Sequence, residues 1–370
     1  MQETTRALLL TGSYGAGHHQ AAAALAAALG AAGASVTVAD VADLASPTAG
    51  RASVRGYEVT LTRAPWLYWL GYQLGLRPTL APLLRRQQGA PFRAGLAAAL
   101  AAQRPDILVA LCPAAVAAAS GLSASDCGGH LAVVITDYRP HCLWLGPRAN
   151  LYCVAAEATA AAVRSLQPNA QVAVTGIPVS TRAMPREKAR RDLGLSAAGP
   201  VVLLMCGAAG WMPAAGAAAA ALAELPADVT TVVLCGRDDG LARRIRAAAP
   251  RAVVPGWVPD VAPYLAAADV LVTKAGGLSL AEALAVGVPV VAWRPIPGQE
   301  ADNARLLTRA GVADTARRPR DLVAAVASLL ADGARLADRR RAAQVWGRPD
   351  AAATTAAALL QLVADGRPAR

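Results

Sequence analysis

The sequence predicts an α/β protein of two doubly wound domains, each a parallel sheet flanked by helices. Short β-branched or leucine-rich runs alternate with longer alanine-rich helical runs along nearly the whole chain, which is the βαβ signature of a parallel sheet. At 370 residues the chain is too long for one ordinary core. A hydrophobic share of 55% against 16% charged residues is far from the composition of a disordered chain. Alanine is abundant and aromatic residues make up only 4%, which favours helices with small side chains packed closely on sheets.

The first half reads as strands at Ala7–Thr11, Ser35–Ala39, Ile107–Leu111, Ala132–Thr136, Leu151–Val154 and Val172–Thr175, with a helix from about His18 to Ala32. The second half repeats the alternation, with strands at Val201–Met205, Thr230–Leu234, Val270–Thr273 and Pro289–Trp293 and helices after each. No internal sequence repeat is detectable. The join is placed at Thr175–Pro185 (TGIPVSTRAMP), where Gly176, Pro178 and Pro185 interrupt the pattern ahead of the basic run Arg186–Arg191. This gives an N-terminal domain over residues 1–180, a C-terminal domain over 181–345 and a helical tail over 346–370. The tail follows the charged stretch Arg339–Arg341 and fits either domain, with packing on the N-terminal one expected. The uncharged stretch Leu193–Ala223 is interrupted by prolines and glycines, so it reads as strand, turn and helix rather than a membrane span.

The net charge of +11 is carried almost entirely by arginine, since Lys188 and Lys274 are the only lysines. From Arg51 to Arg104 there are eight arginines and one acid, Glu58. Such a segment attracts phosphate, whether in nucleic acid, lipid headgroups or a nucleotide. The cysteines at 112, 127, 142, 153, 206 and 235 form no CxxC pair and no metal-ligand spacing, so they read as buried thiols in a reducing compartment, with no metal expected. The N-terminal apolar run Ala7–Leu10 is too short for a signal peptide, so the protein is expected to stay in the cytoplasm.

Three constellations carry chemistry. The first is TGSYGAGHH at Thr11–His19, a glycine turn containing Gly15 and Gly17 between the first strand and the first helix. Glycines let a ligand approach the backbone, and the helix start offers free N–H groups to a phosphate or a sugar hydroxyl; a tight turn that binds nothing is the plainer alternative. A helix N-terminus keeps an imidazole neutral, so His18 is the candidate general base and His19 a surface neighbour. The second is VVITDYRPHCLW at Val133–Trp144, which puts Asp137 at the carboxyl end of a strand and His141 and Trp144 just beyond. Asp137 either orients His18, binds an acceptor hydroxyl, or simply caps the turn.

The third is Val270–Asn303, read as strand, TKAGG, helix LSLAEALAVG, strand and RPIPGQEADN. Backbone N–H groups of Gly276, Gly277, Leu278 and Ser279 open a helix toward a diphosphate, without the lysine-serine ending of a P-loop. Glu282 is one turn in, where it can accept from ribose hydroxyls, and Gln299 and Glu300 can hold sugar hydroxyls. Lys274 either helps the phosphates or pairs with a carboxylate. A weaker glycine turn, Gly207 to Gly210, is placed on the other side of the same phosphates.

GAGHHQAA, TDYRPHCLW, VTGIPV, TKAGGLSLAEAL and PGQEADNA together resemble the MurG-like glycosyltransferases of the monogalactosyldiacylglycerol synthase and processive diacylglycerol glucosyltransferase branch, over most of the chain. The resemblance implies a GT-B fold, two Rossmann-like domains facing a cleft, with the nucleotide sugar held by the C-terminal domain and the acceptor by the N-terminal one. It implies inverting transfer of a hexose from a UDP-sugar to a lipid hydroxyl, diacylglycerol or a glycolipid, with the UDP-sugar as substrate and no separate cofactor. On that resemblance Gly276 and Gly277 hold the diphosphate, Glu282 the ribose, and Gln299 and Glu300 the hexose, while His18 stands at the base position with Asp137 beside it. Ala275 stands where relatives often have proline, a departure expected to leave the phosphate contacts unchanged.

The basic, aromatic segment then has a use as a surface for an anionic bilayer, with Trp66 and Trp69 at the headgroup level and Arg85 and Arg86 on the phosphates. That makes the expected location peripheral, at the inner face of the plasma membrane. The alternative is that PWLYWLGYQLGL is a buried helix. Three rival functions are a UDP-N-acetylglucosamine 2-epimerase of the same fold, a catalytically dead sugar-nucleotide sensor, and a basic nucleic-acid-binding protein. The last lacks any recognised DNA- or RNA-binding motif, so no nucleic-acid partner is expected.

Overall fold

Residues 4–122, 129–180 and 184–366 are described by a computed structural model. They form two compact units. The first comprises the chain up to Val179, the tripeptide Pro297–Gln299 and everything from Asp350 onward; the second comprises Ser180–Ile296 and Glu300–Pro349.

The first unit holds β1 (Arg6–Thr11), β2 (Ser35–Asp40), β3 (Ile107–Ala110), β4 (His130–Val134), β5 (Leu151–Val154) and β6 (Val172–Val174) in the order β2-β1-β3-β4-β5-β6. The second holds β7 (Val201–Met205), β8 (Thr230–Leu234), β9 (Val270–Thr273), β10 (Val290–Trp293) and β11 (Ala313–Ala316) in the order β11-β10-β9-β7-β8. Every pairing is parallel. The two sheets share one winding: the second strand lies outside the first and the third on its other side. The strand order therefore reverses between β1 and β3 and again between β7 and β9, and open α/β sheets bind ligands at the carboxyl ends of such a pair. These positions are where TGSYGAGHH and TKAGG fall.

Ten of the strands match the sequence-based expectation to within two residues at either end. The eleventh, β11, escaped it because ADTA is polar and only half-buried at the sheet edge, with no β-branched run to mark it.

The first core is built on Leu8, Leu10, Leu96, Leu108, Val133, Trp144 and Tyr152, and the second on Leu204, Val233, Ile245, Val272, Trp293 and Val326. Alanine content explains how helices fit so closely. In the helix Pro113–Ala119 every residue after the proline is buried, which is feasible all round a helix only when its side chains are small. The helix Ala351–Gly366 completes the first unit: it packs on the helix Ala16–Ala31 and on β4 and β5, and buried Thr355 Oγ1 donates to Thr175 Oγ1 at 2.9 Å.

At the amino end of the second sheet, Asp269 gathers three arginines. Its carboxylate meets Arg186 at 2.5 Å, Arg190 at 2.8 Å and Arg340 at 2.6 Å, and also accepts from the Val201 N–H at 2.8 Å. This ties the helices Arg186–Asp192 and Gly333–Trp346 to the starts of β7 and β9.

The five described cysteines are free and buried, and Cys127 lies outside the described residues, as do residues 181–183 of the expected linker. Among the described residues no helix is long and apolar enough to cross a membrane, and no group of three His, Cys, Asp or Glu side chains is placed to hold a metal ion.

Candidate functional site

At the β1/β3 switch point the glycine loop turns from β1 into the helix Ala16–Ala31. Gly15, at φ 112°, ends the loop with no side chain capping the helix, so the first-turn N–H groups around Gly17 lack intrahelical acceptors and are available to a ligand. Gly12 has no room for a side chain: a Cβ there would lie 2.9 Å from both Cys112 Sγ and the Tyr14 ring.

His18 rises from this first turn, and its Nδ1 lies 3.2 Å from Thr136 Oγ1. Burial drives its pKa down to about 4, with a backbone hydrogen bond to Leu111 opposing the shift. The imidazole is therefore neutral at pH 7, as expected, but the cause is desolvation before any helix-end effect. Asp137 is joined to this cluster through Trp144. Its Oδ2 accepts from Trp144 Nε1 at 3.0 Å, while Thr136, one residue earlier, meets His18.

Trp144 stands between two histidines, with ring centres 6.3 Å from His18 and 6.4 Å from His141. His141 is buried, its Nδ1 has no hydrogen-bond partner among the described residues, burial lowers its pKa to about 4, and Tyr72 packs edge-on at 5.4 Å. The fold thus brings His18, Thr136, Asp137, His141, Trp144 and Tyr72 into one cluster. Sequence reading missed Thr136 and Tyr72, and it missed the role of His19, which is exposed as expected but pairs with Asp40 at 3.1 Å and with Ser13 at 3.2 Å, bracing the glycine loop.

At the β7/β9 switch point Gly276 caps the helix Gly277–Ala285 without a side-chain hydrogen bond, so the N–H groups of Gly277, Leu278 and Ser279 face outward as donors. Lys274 lies beside Gly207 and Gly276 and is ion-paired with Glu300. Lys274 thus has a carboxylate partner, as one of its two expected uses requires, and stands beside the glycines of the cradle, as the other requires. The ion pair also removes Glu300 from open display: this carboxylate is buried, one oxygen on Lys274 and the other accepting from the Ile296 N–H at 3.1 Å. Gln299 Oε1 accepts from Tyr68 Oη at 3.0 Å.

Glu282, one turn into the helix, has its carboxyl pushed up to about 8, first by burial and then by the Asp260 charge. Gly207 and Gly210 form a loop whose Ala208 carbonyl accepts from the Arg237 N–H, and the Arg237 guanidinium lies 4.5 Å over the exposed Trp257 ring. No sequence signal linked Arg237 to this loop, Trp257 to Arg237 or Asp260 to Glu282, because the members of each pair are far apart in the chain.

Ala275 has φ 69°, in the left-handed region. A proline ring holds φ near −65°, so a proline placed at this position could not follow the backbone path that Ala275 takes. Ala275→Gly is expected to raise stability by ~1 kcal/mol and Ala275→Pro to lower it by ~3 kcal/mol or more, measured by urea unfolding.

The helix Pro65–Gly75 has two faces. Trp66 and Trp69, 67% and 46% exposed, lie outward with Leu67 and Leu70, whereas Tyr68, Tyr72 and Gly75 turn inward, so the buried-helix alternative fails on that outward face. Arg85, expected at a membrane surface beside Arg86, is instead half-buried and donates to the Cys142 carbonyl at 2.7 Å, while Arg86 is exposed.

Residues 18–179 match the family model of monogalactosyldiacylglycerol (MGDG) synthase, and residues 200–332 that of glycosyl transferases group 1. A processive diacylglycerol beta-glucosyltransferase of Bacillus pumilus is 31% identical over 211 residues, 55% of each chain, and one of Bacillus subtilis is 30% identical over 207 residues, 54% of each. The chain spans about half the length of the curated relatives it matches. In structure it is similar to a Listeria monocytogenes protein provisionally described as a UDP-N-acetylglucosamine 2-epimerase (TM-score 0.66, 15% identity, 100% and 99% of the two chains). It is also similar to Acinetobacter baumannii MurG (TM-score 0.61, 15% identity, 97% and 100%). At these identities the structural likeness establishes the fold, which is of the GT-B type.

Proposed function

We propose that the chain is a glycosyltransferase of the monogalactosyldiacylglycerol synthase and processive diacylglycerol glucosyltransferase type, an inverting hexosyltransferase moving a sugar from UDP to a lipid hydroxyl. The observation that carries this reading is the cradle at the β7/β9 switch point, an uncapped helix start with a lysine beside it and a recessed carboxyl one turn further on.

In this reading the N–H groups of Gly277, Leu278 and Ser279 take the diphosphate, with Gly207 and Gly210 on its other flank. Charge builds on the leaving UDP as the anomeric bond breaks, and fixed donors of this kind are worth ~3–4 kcal/mol each. Glu282 takes the ribose hydroxyls and Gln299 a hexose hydroxyl; Glu300 supports the site through Lys274. His18, neutral across the physiological range, takes the acceptor proton as the oxygen attacks the anomeric carbon, and Asp137 holds Trp144 as the wall behind it. No separate cofactor enters this scheme.

The first unit takes the lipid acceptor, diacylglycerol or a glycolipid. The outward Trp66 and Trp69 with Arg86 rest on an anionic bilayer at its cytoplasmic side.

UDP release from UDP-glucose, UDP-galactose and UDP-N-acetylglucosamine, with and without diacylglycerol in anionic vesicles, tests the proposal. Lipid-dependent release from one donor is the expected result. Sugar epimerisation without an acceptor, or salt-sensitive DNA retention with no UDP-sugar binding, would replace it. His18→Ala is expected to lower kcat by ~10²–10⁴ with donor KM unchanged, since a general base acts only in the chemical step; equal kcat would remove His18 from that role.

A further inference from the structure

We propose that Tyr68 is a positioning residue for the donor hexose, acting through Gln299; this rests on the transferase reading above. The tripeptide Pro297–Gln299 counts with the first unit. It does so because Gly298, at φ 110°, lies flat against two rings: a Cβ there would sit 3.1 Å from Tyr72 and 3.3 Å from Tyr68. Only glycine combines that backbone angle with that approach. The peptide thus presses on the inward face of the helix Pro65–Gly75, and Tyr68 Oη donates to Gln299 Oε1 at 3.0 Å.

A glutamine amide has an acceptor end and a two-donor end. With the phenol on the oxygen, the NH₂ end is the one turned away from Tyr68, so Gln299 meets a sugar as a hydrogen-bond donor in one fixed orientation. Without the phenol the amide is free to rotate and to present either end. Tyr68 is itself held edge-on by Tyr57 at 5.9 Å, and Tyr57 by Tyr14 at 5.6 Å. Tyr14 belongs to the glycine loop, and its hydroxyl is 2.8 Å from Ser53 Oγ. An edge-to-face ladder of three tyrosines therefore runs through the first unit from the glycine loop to the Gln299 amide, and no catalytic step uses it directly.

Tyr57, Tyr68 and Tyr72 belong to the basic, aromatic segment for which the sequence suggested a bilayer surface. The structure separates these tyrosines from the outward tryptophans of the same helix and gives them an inward task. Residues 68, 72 and 75 share one helix face and 66, 69 and 70 another.

The test compares wild type, Tyr68→Phe, Gln299→Ala and the double variant in UDP-release kinetics with UDP-glucose and UDP-galactose, alongside titration with UDP alone. Tyr68→Phe keeps the ring against Gly298 and removes only the hydroxyl. It is expected to raise donor KM by about 3- to 10-fold, the range of one neutral hydrogen bond, and to narrow the preference between the two epimers. UDP alone, which carries no hexose, should bind Tyr68→Phe and wild type equally, and the double variant should behave as Gln299→Ala. Unchanged KM and preference in Tyr68→Phe, weakened UDP binding, or a double variant worse than Gln299→Ala by the full Tyr68→Phe factor overturns the positioning role while leaving the transferase reading intact. A wild-type protein that neither binds nor turns over any UDP-sugar overturns that reading, and the role of Tyr68 falls with it.

Discussion

Glu282→Ala is expected to lower kcat/KM for the UDP-sugar by ~10²-fold or more, because a carboxylate accepting two ribose hydroxyls makes charged hydrogen bonds of ~1.5–3 kcal/mol each. The proton on this residue makes the prediction sharper. The Glu282 pKa of about 8, against 4.5 for the ordinary side chain, leaves the empty site mostly protonated at pH 7. A carboxylate that accepts from ribose must then lose a proton on binding, so UDP-glucose affinity should improve as pH rises from 6 to 8, by at most tenfold per unit. Glu282→Gln should bind more weakly and show no such slope, and isothermal titration at several pH values reads both. Identical slopes in the two proteins would remove Glu282 from the ribose.

Stability responds in the opposite sense. A carboxyl whose folded pKa is raised stabilises fully below its unfolded value near 4.5, and that contribution is lost as pH rises through 8. Wild type should lose on the order of a few kcal/mol over that interval, whereas Glu282→Gln does not. The melting curves of the two should therefore separate with rising pH, the variant being the more stable and the less active.

Asp269→Ala is expected to cost ~3–5 kcal/mol, a drop in Tm on the order of 10 °C, with no change in UDP-sugar KM. The three arginines on this carboxylate are not equal. Arg186 and Arg340, each with a side chain 34% exposed, can turn to water; Arg190, at 4%, cannot, and the Val201 N–H is left without its acceptor as well. The loss is therefore that of a stranded buried charge. Removing both partners, as in Asp269→Leu with Arg190→Met, should recover much of it, because a buried ion pair is worth little over apolar packing of similar volume. KM is spared because Asp269 lies at the amino end of the sheet and the cradle at the carboxyl end. A change in KM comparable with the loss of Tm would show that the two ends are coupled.

What the sequence disclosed follows the range of each interaction. Buried parallel strands are continuous apolar runs, so β7, β8 and β9 were read to the residue, and glycine loops at strand ends marked both switch points. A polar edge strand such as β11 carries no such run. Side-chain partners just beyond a strand were also out of reach: Thr136 and Asp137 are neighbours in sequence, yet Thr136 meets His18 and Asp137 accepts from the Trp144 indole. Pairings across the fold have no local signature either. The hydrogen bond from Tyr68 to Gln299 spans 231 positions, and the Arg190 bond to Asp269 spans 79. Charge alone placed Arg85 outside, and its long stem and a backbone carbonyl brought it in.

The way the chain divides also bears on its synthesis. The second unit interrupts the first, whose last helix, Ala351–Gly366, is encoded after the whole of the second. Domains of a nascent chain generally close in the order in which they leave the ribosome. Here that order is inverted: the second unit has all its strands and helices while the first still lacks the helix that buries Thr355, Leu359 and Val363. Until those residues emerge, the unit translated first keeps an apolar face open, and it is the one in which a folding helper would find its target.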